Sequence, residues 1–165
     1  NNITLKHFNT KDLIEDISNY QIFLNKEKIA SLKLDQAVVA QKIADGIINF
    51  ENVYKSVTAR TMQTTTFTEG ILHKLQQGFN QKYSGDVLFI PNPATITHEE
   101  TGTTHGSGYN YDTHVPVIFY GNGIKQGRSK KPYTIIDIAP TISNLLEIEF
   151  PNGTTGEIII EALKE

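Results

Sequence analysis

Three patterns in the sequence predict an α/β fold. Residues 86–90 (DVLFI) form a short, nearly continuous apolar run, as in strands covered on both faces. Val39, Ile43 and Ile47 recur every four residues, with Ala40, Ala44 and Ile48 beside them, so a helix here has a wide apolar stripe. Residues 102–121 (GTTHGSGYNYDTHVPVIFYG) pass from a glycine-rich loop with two histidines into an apolar, β-prone run. A polar loop feeding a buried strand is where α/β proteins place their chemistry.

The elements follow in order. Residues 3–18 have a mixed pattern and receive no assignment. Residues 20–24 and 28–32 suit two strands joined around Asn25 and Lys26. Asp35 suits the cap of the striped helix, whose last turn Gly46 weakens. Residues 53–59 alternate in the manner of a third strand. Residues 17–62 therefore read as a small α+β subdomain. Thr66 and Glu69 have capping-box spacing, and Phe67, Ile71, Leu72, Leu75 and Phe79 follow on one helical face. The run at 86–90 is stopped by Pro91 and Pro93. Residues 91–114 make a long loop, and loops beyond about 12–15 residues are usually functional or disordered. Residues 115–120 suit a strand, Asp137 the cap of a last helix with Pro140 in its first turn, and residues 158–160 a closing strand.

Composition narrows the function. The chain has 165 residues, a 38 % apolar fraction and a net charge of -3. No basic stripe marks a nucleic-acid partner. Without cysteine, neither a disulfide nor a thiolate metal site forms. No apolar run reaches the roughly 18 residues of a membrane span. The start at Asn1, with no signal peptide, suggests a processed or excised product.

The long loop holds His98, His105 and His114 with Glu99, Glu100 and Asp112. Gly102, Gly106 and Gly108 let the backbone fold closely around the His105 imidazole, which suits a metal ligand, although most loop histidines are solvated. His98, His105 and His114 are too far apart for a local structural zinc site. His114 suits a hydrogen bond at a strand start. Asp112 suits either a group orienting a histidine or a turn cap. Tyr109 and Tyr111 suit a pocket lining or a simple cover for the loop. Lys125, Arg128, Lys130 and Lys131 suit a solvated face better than an anion site. No Gly-x-Ser-x-Gly motif, P-loop or dinucleotide fingerprint occurs.

Residues 103–121 closely resemble the C-terminal metal-binding stretch of phosphate-irrepressible alkaline phosphatases. These share a superfamily with type I phosphodiesterases and nucleotide pyrophosphatases. Residues 84–90 (SGDVLFI) resemble that family's penultimate core strand. Residues 134–146 (TIIDIAPTISNLL) and 151–156 (PNGTTG) resemble its closing helix and tail. Residues 20–60 are similar to its small insertion domain.

The resemblance implies an alkaline phosphatase-like α/β core, present in its C-terminal part (63–165), with a ferredoxin-like α+β insertion at 17–62. It implies a hydrolase of phosphate esters, exported to the periplasm or cell exterior. In such enzymes two zinc ions flank a Thr or Ser nucleophile and stabilise charge on the transferring phosphoryl group. Carried over, His105 is one zinc ligand, and His114, Asp112 and Tyr109 are supporting residues. The nucleophile, the phosphoryl contacts and the other ligands have no counterpart in this sequence, so the chain alone is expected to be inactive. The alternatives are a phosphodiesterase, pyrophosphatase or sulfatase of the same superfamily, or a non-catalytic ferredoxin-like binding module.

Overall fold

The computed structural model describes residues 1–96 and 105–164 and separates into two compact units, Asn1–Val115 and Pro116–Glu165. The first is built on a four-stranded antiparallel sheet of order β1-β2-β4-β3. Its strands are β1 (Ile14–Ser18), β2 (Gln21–Leu24), β3 (Val53–Thr58) and β4 (Val87–Pro91). β4 is buried along nearly all its length, as its unbroken apolar run requires, and lies between β2 and β3. The sheet therefore takes strands from both sides of position 62.

Helices α1 (Asn2–Phe8), α2 (Lys26–Ser31) and α3 (Gln36–Ile47) complete the core. The Asp35 carboxylate caps α3, accepting from the N–H groups of Ala37 and Val38. The stripe residues Val39, Ala40, Ile43 and Ala44 are buried with Leu13, Ile22, Leu24, Ile29 and Val87. Gly46 is where α1 crosses α3: a Cβ there would lie 2.8 Å from the Ile3 side chain. The glycine weakens the helix but admits Ile3 to the core.

Asp86 ties the corners of the sheet together. Its carboxylate accepts from Leu24 N–H at 2.9 Å and Gln36 Nε2 at 2.8 Å, with Lys26 Nζ 3.8 Å away. Its own N–H donates to the Ile22 carbonyl, and its carbonyl accepts from Ala59 N–H. After β3 come α4 (Ala59–Thr64) and α5 (Gly70–Gly78). Gln76 joins them: its Nε2 donates to the Met62 and Thr65 carbonyls, and its Oε1 accepts from Phe67 N–H.

The second unit contains a 3₁₀ turn (Ile135–Asp137) running into a helix (Ile138–Leu145), and a short 3₁₀ turn at Ile160–Ala162. Thr141 is fully buried; its hydroxyl donates to the Asp137 carbonyl at 2.6 Å and accepts from Ile159 N–H at 2.9 Å. Asp137 accepts from Thr134 N–H and hydroxyl and from Glu157 N–H. Gly156 packs directly on the Ile136 carbonyl, leaving no room for a Cβ.

The mixed helix-and-strand class expected from the sequence is present, with several local differences. The hairpin turns at Asn19 and Tyr20, both at positive φ, and not at Asn25 and Lys26. Paired left-handed residues match the twist of a two-residue hairpin, but without glycine the signal is faint. Asn25 instead caps α2 by accepting from Lys28 N–H, so residues 28–32 lie in and just after a helix. The expected capping box at Thr66 does not form, and α5 starts at Gly70. Asp137 closes a capping box on the 3₁₀ turn, one element earlier than expected. Residues 115–120 form no strand, and neither do 158–160. Val115, Ile118 and Tyr120 are largely exposed, and apolar residues become a strand only where a neighbouring strand satisfies their backbone. Ile159 is buried, but its N–H is used by Thr141 and not by a ladder.

Candidate metal-ligand loop

The loop leading from His105 is held against the carboxyl end of β4 and one face of α5. Two of its glycines have separate reasons. Gly106 sits at φ +128, where a side chain is strained. Gly108 lies on α5, so close that a Cβ would come within 2.8 Å of Ile71 Cγ1. One turn along that face, Lys74 Nζ donates to the Gly108 carbonyl (3.2 Å), Asn110 Oδ1 (2.9 Å) and Thr113 Oγ1 (3.1 Å). All three ammonium protons are thereby used.

The short helix α6 (Asn110–Thr113) follows. Tyr109 and Tyr111 at its start stack with ring centroids 5.6 Å apart. Tyr109 Oη donates to the Pro91 carbonyl at 2.8 Å, which fixes the loop to the end of β4. Tyr111 Oη accepts from Ala94 N–H at 3.0 Å. Partial burial, then the Tyr111 hydroxyl, push the Tyr109 phenol above its ordinary pKa, so it stays a protonated donor.

Asp112 closes the loop on itself. Its Oδ2 accepts from both the hydroxyl and the backbone N–H of Ser107. These bonds hold its carboxyl below the ordinary carboxylate pKa, the side-chain bond most, and the nearby charge of His105 adds to the lowering. An ionised Asp112 thus sits in the field of an exposed imidazole. Among the described residues, no group of three or more His, Cys, Asp or Glu side chains is arranged to hold a metal ion.

No protein-family model matches the chain. The chain is 34 % identical to alkaline phosphatase PafA of Elizabethkingia meningoseptica over 94 % of its own length. It is 34 % identical to alkaline phosphatase PhoV of Synechococcus elongatus over 90 %. A Myroides odoratus protein named as a calcium-transporting ATPase matches at 32 % identity over 96 %. The crystal structure of wild-type PafA superposes with a TM-score of 0.87 at 32 % identity, covering 97 % of this chain and 31 % of PafA's. The chain belongs to the alkaline phosphatase superfamily. It corresponds to a C-terminal portion of such a protein and spans only 27–29 % of the curated relatives named above.

Within this superfamily portion the structure brings His105, Asp112 and Tyr109 together in one braced loop. His114 is exposed at the end of α6, where its N–H donates to the Asn110 carbonyl at 2.8 Å. His98, Glu99 and Glu100 lie outside the described residues. Lys74 received no role from the sequence. Its one signal was its place three residues after Ile71, on the same helical face.

Proposed function

We propose that this chain is the C-terminal part of a zinc-dependent phosphoric ester hydrolase and that it contributes His105 to one zinc ion. The observation that carries the reading is the braced loop: an exposed imidazole on a glycine-bounded turn, beside an ionised aspartate, in a superfamily of phosphatases. Zinc, when bound, would activate a nucleophile and neutralise charge on the transferring phosphoryl group. The chain's own residues do the positioning. Tyr109 fixes the loop to β4, Gly106 and Gly108 allow its path, and Asp112 favours a correctly turned His105.

On this reading the chain is inactive alone, because zinc needs three or four ligands and His105 is one. The nucleophile and remaining ligands belong to polypeptide that precedes this portion. The complete protein acts on phosphate monoesters or diesters in the periplasm or outside the cell.

The test compares the complete protein with its His105→Ala variant and with the isolated chain, following bound zinc and hydrolysis of p-nitrophenyl phosphate, bis-p-nitrophenyl phosphate and ATP. We expect His105→Ala to lose zinc and most activity, and the isolated chain to show no turnover. Unchanged zinc and activity in His105→Ala would refute the ligand role; tight zinc with turnover in the isolated chain would refute the partial-site reading. Fractionation of the native cells checks the location, and a cytoplasmic signal would exclude export.

A further inference from the structure

We propose that Lys74 is a positioning residue that sets the place of His105, an inference resting on His105 as a zinc ligand. Surface lysines usually trail into water with their donors shared among mobile waters. Lys74 instead spends all three donors on three successive features of one loop: the Gly108 carbonyl, the Asn110 amide oxygen and the Thr113 hydroxyl. These acceptors lie on both sides of the start of α6, so the ammonium fixes how the loop enters that helix as well as where it sits.

The anchor is itself braced. Ile71, on the same face of α5, meets Gly108 closely enough to exclude a Cβ. Gln76 and His73 bond back to the segment before α5: Gln76 Oε1 accepts from Phe67 N–H, and His73 Nδ1 lies 2.7 Å from the Phe67 carbonyl. Apolar contact sets the height of the loop over α5, and the ammonium sets its lateral position. Gly108 is only three residues from His105, and Gly106 between them adopts a backbone closed to most side chains. Ser107, beside Gly108, is tied to Asp112 through its N–H and hydroxyl, so the segment moves as a unit and a shift at Gly108 is passed toward the imidazole. Lys74 itself touches no reacting group and is not a catalytic residue.

The experiment uses the complete zinc protein and measures zinc affinity by competition with a chromophoric chelator, together with amide hydrogen exchange over 105–113. Lys74→Met keeps the aliphatic stem and removes the donors. It should weaken zinc by about tenfold, the lower end for groups that orient a metal ligand. It should also speed exchange in the loop while leaving β4 protected. Lys74→Arg, which keeps several donors, should recover most of the affinity. In the His105→Ala background, Lys74→Met should have no further effect on zinc.

If His105→Ala weakens zinc while Lys74→Met leaves affinity unchanged, the Lys74 proposal is wrong and the ligand reading stands. Should His105→Ala leave zinc affinity intact, both fall. An equal loss from Lys74→Met with and without His105 means a general structural role and also overturns the proposal.

Discussion

The two units solve the problem of burial in opposite ways. Asn1–Val115 holds twelve of the thirteen buried hydrophobic residues among those described, nine of them in one core cluster. In Pro116–Glu165, Ile159 is the other one, and the buried centre is otherwise Pro140 with the hydroxyls of Thr141 and Ser143. The second unit meanwhile exposes Tyr120 fully, Ile135 to 83 % and Ile118 to 82 %, with Leu146 and Ile160 also largely open. One unit is held by apolar area removed from water, the other by a few polar bonds around Asp137 and Thr141. For a chain spanning under a third of its relatives, the contrast teaches which part carries its own core.

The comparison breaks most readily through truncation of apolar side chains. Leu24→Ala in the first unit should cost about 2–5 kcal/mol in urea unfolding, because it leaves a cavity. Ile118→Ala in the second should stay within about 0.5 kcal/mol, since its side chain is already in water. Similar losses from the two would erase the distinction.

A smaller effect tests whether the apolar unit also depends on a polar post. Asp86→Ala strips an acceptor from Leu24 N–H at the sheet corner and should cost about 1–3 kcal/mol by the same measurement. A neutral result would show that water replaces the carboxylate there.

The smallest effect sharpens the polar side. The backbone N–H of Thr134, then that of Glu157, hold the Asp137 carboxyl below its ordinary pKa. A depressed folded pKa stabilises above the unfolded value of about 3.9 and loses that contribution as pH falls through the folded value. Protection from amide exchange in the second unit, taken relative to the intrinsic rate at each pH, should therefore fall below about pH 4, and Asp137→Asn should flatten that acid response. A response unchanged in the variant would assign it to other carboxylates.

Much of this was legible in the sequence where local and tertiary signals agree. The α3 stripe, the alternation of β3 and the apolar run of β4 each carry their own period, and Asp35 caps as its type suggests. The glycines around His105 were readable as a close-approach loop, although only the fold shows that Gly108 is required by Ile71. The errors came where one signal has two meanings. Asn25 serves turns and helix caps alike, and residues 115–120 have strand composition but meet no partner strand among the described residues. Lys74 and Asp86 were invisible because their roles depend on groups 34–39 and 50–62 residues away in sequence.

The central place of β4 has a consequence for how the chain is made. It is the last of the four strands to leave the ribosome, yet β2 and β3 both pair with it. Until Val87–Pro91 emerges, β1 and β2 form only a hairpin, and β3 has no neighbour in the sheet. Asp86, immediately before that strand, then arrives with the acceptor that Leu24 has been lacking. The sheet is complete only once that strand is made, and the His105 loop comes after it in the chain.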